Sequence, residues 1–133
     1  MNKIHEECGV FGVYASETMN VASMTYYALY ALQHRGQDAC GIVVNDGGVF
    51  TAKKDLGLVG DVFTKDVLKS LGYGKLAVGH VFAGTKGSVN IENAQPLVVN
   101  HVKGSMAIAF NGNLVNKNEL RTELELQGSI FHS

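Results

Sequence analysis

The chain has 133 residues, 16 of them glycine, and its 11 basic and 12 acidic side chains leave a net charge of −1. With 46% apolar residues it can bury a core, which argues against a disordered chain, and its length suits one domain. The balanced charge argues against a nucleic-acid binder, and two cysteines cannot make a multi-bridge secreted scaffold.

In chain order, the stretch before Cys8 lacks the apolar region of a signal sequence, and no later apolar run reaches the ~20 residues of a membrane span. A cytoplasmic protein with reduced thiols is the expectation. Residues 8–14 read as a buried strand. Val21, Met24, Ala28, Leu29 and Leu32 recur at helical spacing, which predicts an amphipathic helix over 17–34, stopped near Gly36. Strands at 41–45 and 49–53 flank Asp46-Gly47-Gly48, a strong hairpin signal. A short helix is expected near 65–70, and strands at 76–82, 97–101 and 105–110, with Pro96 suited to a strand start. Residues 116–127 form a clear helix pattern with Leu120 and Leu124 on one face and Gly128 placed as its C-terminal cap. Hairpins among the strands favour an α+β protein with mainly antiparallel sheets over a doubly wound one.

Three clusters carry candidate chemistry. Cys8-Gly-Val-Phe-Gly12 holds either a buried structural cysteine or a nucleophile freed by removal of residues 1–7. In the second case the new terminal amine, with a pKa near ~7.7, is the base for its own thiol. Leu32-Gln-His-Arg-Gly-Gln-Asp38 reads as a solvated helix end, with His34 and Arg35 suiting the negative helix C-terminus, or as a polar site. Phe110-Asn-Gly-Asn113 is a turn, or a device that aims the Asn111 amide and the Gly112 N–H at one carbonyl oxygen as an oxyanion hole.

These segments, with Gly79-His-Val81, Gln95-Pro-Leu97 and Asn111-Gly-Asn-Leu-Val-Asn116, occur in an order and spacing that resembles the N-terminal class II glutamine amidotransferase domain of the amidophosphoribosyltransferase family. The resemblance runs from about Glu7 to the last residue. Gly9, Gly12, Gly36, Gly41, Gly79, Gly87 and Gly112 all fall within it, which accounts for much of the glycine excess.

The resemblance implies an N-terminal-nucleophile fold, a four-layer αββα sandwich with mainly antiparallel sheets, and glutaminase chemistry in the first step of purine synthesis. Residues 1–7 are then a candidate leader and 8–133 a partial glutamine amidotransferase domain, truncated at its C-terminus. On this reading the phosphoribosyltransferase domain is expected to be absent. By matching position Cys8 attacks the glutamine side-chain amide, and Asn111 with Gly112 holds the oxyanion. Arg35 lies beside the site, and His80 and Thr85 fall in the glutamine-binding segment. No cofactor is expected in this domain; magnesium and phosphoribosyl pyrophosphate belong with the absent one. L-glutamine is the expected partner, without nucleic acid or membrane, and with a homo-oligomer left open.

The chain departs from the family at Phe82, which stands where the family has the arginine that grips the α-carboxylate of glutamine, and at Phe110, where it usually has histidine. Two alternatives therefore stay beside the glutaminase: a catalytically silent amidotransferase-like module, and an N-terminal-nucleophile amidohydrolase with a changed substrate.

Overall fold

The computed structural model describes residues 8–84 and 89–131; the candidate leader, Thr85 and the last two residues lie outside that range. Six strands and four helices follow one another: β1 (Cys8–Met19), α1 (Val21–Ala31), β2 (Ala39–Asp46), β3 (Val49–Leu56), α2 (Val59–Val62), α3 (Lys65–Leu71), β4 (Gly74–Phe82), β5 (Leu97–His101), β6 (Gly104–Ile108) and α4 (Lys117–Leu126). Four strands form one sheet in the order β1-β4-β2-β3, and β5 and β6 form a second. Every pairing is antiparallel, so the expected α+β class holds.

Alternation along the strands sorts side chains onto two faces. Cys40, Ile42, Val44, Ala77 and Val81 point to the face carrying α1–α3, where they form the core with Val21, Leu29, Val59, Phe63 and Leu71. Gly79 sits on this face because α1 crosses directly over it. A Cβ there would lie 2.5 Å from Cγ2 of Thr25 and 3.0 Å from Cδ1 of Leu29, so a side chain would lever the helix off the sheet. Gly41 has the same role on the opposite face, where a Cβ would overlap the carbonyl oxygen of Gln95. The segment following β4 therefore returns across the face opposite α1, and the Gln95–Pro96 bond within it is cis.

Local signals explain most boundaries. The β2–β3 turn is a two-residue loop, since Asp46 pairs with Val49, and Gly47 and Gly48 take the positive φ values (+58° and +93°) that such a turn demands. Gly128 closes α4 as expected: its N–H donates to Glu125 and that of Ser129 to Leu124, the paired bonds of a Schellman cap.

The helix expected over 17–34 is shorter. β1 continues to Met19, and Asn20 then caps α1 by accepting the Ser23 N–H at 3.1 Å. At its other end the chain tightens into a 3-10 turn, Gln33–Arg35, because Oε1 of Gln33 is engaged by the Val59 N–H at 2.7 Å. β3 runs on to Leu56, and β6 stops at Ile108, before Phe110. Leu120 and Leu124 share a face of α4, but no residue of this helix is buried.

Candidate active site

Cys8 opens β1 opposite Phe82, the last residue of β4. Directly opposed residues share a face, so the thiol points away from α1, into the space beneath the returning segment. A cleft of about 400 Å³ opens there, lined by Cys8, Phe82, Phe110, Asn111, Gly112 and Lys117 among others, within the usual size range of small-molecule sites. The fold thus brings together the expected nucleophile, both expected oxyanion donors and the altered anchor position, although more than 70 residues separate Cys8 from each of the others.

Cys8 is 6% exposed, whereas Asn111 and Gly112 lie on the open side of the cleft. Gly112 has a φ of +156°, backbone that glycine supplies without strain. Arg35 does not line the cleft; its Nε donates to the carbonyl oxygen of Cys8 at 2.8 Å and so fixes the main chain of the expected nucleophile. Two other polar residues of its segment, Gln33 and Asp38, are fastened to the scaffold. Gln33 engages α2, and Asp38 accepts the Gly84 N–H at 2.8 Å while its own N–H donates to Phe82. This polar segment is a brace for the ends of β1 and β4.

His80 faces the same side of the sheet as Cys8 but is fully buried. Its Nε2 lies 3.0 Å from the carbonyl oxygen of Phe110. A carbonyl only accepts, so Nε2 carries the proton, while Nδ1 has no hydrogen-bond partner among the described residues. Burial pushes the His80 pKa below its usual value, and the bond to Phe110 partly opposes this. A depressed histidine pKa makes the unfolded chain bind more protons than the folded one below pH ~6.5. Stability therefore falls as pH is lowered from about 6.5 towards the folded-state pKa. Thermal unfolding should show this loss between pH 7 and 5.5, and His80→Gln, which has no ring to protonate, should flatten it; an equal slope in both proteins contradicts the assignment.

Cys40 is the second thiol, buried against α1–α3. Burial, with a smaller effect from Asp55, pushes its pKa up to about 12, which leaves it an unreactive thiol at neutral pH. A larger groove of about 630 Å³ lies between β2–β3 and the 91–98 segment, lined by Val43, Lys54, Ile91 and Pro96 among others; among the described residues its lining includes no cysteine, serine or threonine. Among the described residues no three His, Cys, Asp or Glu side chains gather as metal ligands, and no helix is long and apolar enough to cross a membrane.

No family model matches the chain, but individual proteins do. The amidophosphoribosyltransferase of Methanocaldococcus jannaschii is 50% identical over 126 residues, which covers 95% of this chain and 26% of that protein. The chain is homologous to the N-terminal quarter of the amidophosphoribosyltransferases. The Bacillus subtilis amidophosphoribosyltransferase is 47% identical over 131 residues, covering 98% of this chain and 27% of its own length. A solved structure described as the allosteric regulatory enzyme of purine biosynthesis superposes with a TM-score of 0.86 and 46% identity, over 93% of this chain and 26% of that one. A second, glutamine phosphoribosylpyrophosphate amidotransferase from B. subtilis with ADP and GMP, gives 0.82 at 46% identity over 92% of this chain and 26% of that one. The chain thus spans about a quarter of the length of the amidophosphoribosyltransferases it matches.

Sequence reasoning overlooked the role of Gln95. Its segment was legible as a motif, but burial of the side chain and its bond to the Phe110 N–H at 2.8 Å have no local signature. Lys117 was also missed; nothing in a helix-start lysine indicates that it borders a cleft.

Proposed function

We propose that this chain is the ammonia-generating glutaminase part of an amidophosphoribosyltransferase. The observation that carries the reading is the convergence of Cys8, Asn111 and Gly112 on one cleft. Removal of residues 1–7 gives Cys8 a free α-amine, which accepts the thiol proton. Sγ then bonds to the side-chain carbonyl carbon of glutamine, and the oxygen charge that develops is met by the Asn111 amide and the Gly112 N–H. When the C–N bond breaks, the amine returns the proton to the departing nitrogen. Ammonia and a γ-glutamyl thioester result, and water resolves the thioester to glutamate and the free thiol. Arg35, bonded to the Cys8 carbonyl, holds the attacking residue in place through these steps.

Ammonia made here would serve a phosphoribosyltransferase acting on phosphoribosyl pyrophosphate with magnesium, in keeping with the relatives' names. The reducing cytoplasm suits a reaction that needs a free thiol.

Phe82 and Phe110 favour a second reading. Both aromatic side chains line the cleft with Cys8, which suits an amide substrate with an apolar acyl group in place of glutamine. Labelling separates the two. A glutamine-analogue electrophile should modify Cys8 and spare Cys40, and Cys8→Ala should abolish the adduct. Labelling by an apolar acyl electrophile but not by the glutamine analogue would establish the second reading instead.

A further inference from the structure

Phe110, the residue before Asn111, is held by both of its backbone polar groups. Its N–H donates to Oε1 of Gln95 at 2.8 Å, and its carbonyl oxygen accepts from Nε2 of His80 at 3.0 Å. Both partners are buried, at 8% and 0% exposure, whereas Phe110 is 47% exposed. β6 ends at Ile108 and α4 begins at Lys117, so residues 109–114 lie in no strand or helix of their own. An exposed irregular segment takes its precision from whatever grips it.

The two gripping residues are themselves fixed to the four-stranded sheet. His80 lies in β4, between Val10 of β1 and Gly41 of β2. Gln95 is seated over Gly41, where no Cβ intervenes, and the preceding carbonyl, that of Ala94, accepts from Nζ of Lys54 at 2.9 Å. Cys8 belongs to the same sheet. The clamp therefore refers the 109–114 segment to the strands that carry the thiol. Side-chain chemistry agrees with this role: an amide oxygen accepts the Phe110 N–H without burying a charge, as a glutamate would.

We propose that Gln95 and His80 are positioning residues for the oxyanion site, fixing the Phe110 peptide so that the Asn111 amide and the Gly112 N–H meet the developing charge. This rests on the glutaminase reading, and its test separates the two. Gln95→Leu and His80→Leu should lower kcat for glutamine hydrolysis by ~10- to 100-fold, the cost of a small misplacement, with KM changed by less than about threefold. His80→Gln, whose amide nitrogen reaches about as far as Nε2, should recover most of the loss. Alkylation of Cys8 by iodoacetamide needs no oxyanion site and should keep its wild-type rate in all three. A parallel fall in alkylation, or a His80→Gln protein as impaired as His80→Leu, would show that these residues only pack the site. If the wild-type chain releases no ammonia from glutamine, the glutaminase reading fails by itself. Amide exchange then decides the clamp: Gln95→Leu should speed exchange at Phe110 and not at Val78 or Ile42 in the sheet. Unchanged exchange at Phe110 would overturn it.

Discussion

Replacing Phe82 with arginine should raise kcat/KM for glutamine by ~10- to 1,000-fold, mostly through KM. Hydrogen bonds to a charged group contribute about 1.5–3 kcal/mol each, and a bidentate guanidinium–carboxylate pair can exceed one of them. The position is suited to the change. Phe82 ends β4 opposite Cys8, it is only half-buried, and its ring stacks on His80 at 6.3 Å. A planar guanidinium can take over that stacking while its donors face the cleft. The resemblance places the α-carboxylate anchor here, and among the described residues lining the cleft the cation is Lys117, whose compact ammonium cannot reproduce a planar fork. Steady-state kinetics with glutamine checks the expectation. An unchanged KM in Phe82→Arg would mean that the carboxylate is held elsewhere, and hydrolysis of apolar amides by the wild type that Phe82→Arg loses would favour the changed-substrate reading.

Replacing Asn111 with alanine should lower kcat by about 10²-fold with little change in KM. Loss of one oxyanion donor typically costs ~10²–10³, or about 2.7–4 kcal/mol, when the site excludes water. Asn111 lies on the exposed side of the cleft, where solvent can partly replace the missing donor, so the lower end applies. Gly112 contributes a backbone N–H that the substitution leaves in place, which sets a floor under the residual rate. A large rise in KM with unchanged kcat would make Asn111 a ground-state binding residue and contradict its assigned role.

The strand pattern was the most legible part of the fold. β2 and β3 announce themselves through Asp46-Gly47-Gly48, and α4 through the spacing of its leucines and the glycine that ends it. Errors arose where a side chain elsewhere decided the boundary. Glu17 and Thr18 fit a helical first turn, yet they continue β1, because capping by Asn20 sets the start of α1. Gln33 and His34 fit the last helical turn, but Gln33 is recruited by the backbone of α2, an element of four residues too short to show a period.

The site was legible as a set of motifs and much less as a set of roles. Cys8, Asn111 and Gly112 could be grouped only through the family resemblance, since Asn-Gly after a strand by itself reads as a turn, and the structure places them around one cleft. Arg35 and His80 were expected beside the substrate. The structure shows instead what each of them holds: Arg35 the Cys8 carbonyl, His80 the Phe110 carbonyl. A hydrogen bond from a buried side chain to a distant main chain leaves no periodicity and no composition signal, so Gln95 and His80 could not be paired from sequence.

The central claim is that Cys8 works as an N-terminal nucleophile, and the intact mass of the purified protein before and after a glutamine-analogue electrophile tests it most directly. The account predicts a protein lacking residues 1–7 that gains one adduct, mapped to a peptide beginning at Cys8. A protein that keeps residues 1–7 has only a peptide N–H at Cys8, with no amine to take the thiol proton, and would contradict it.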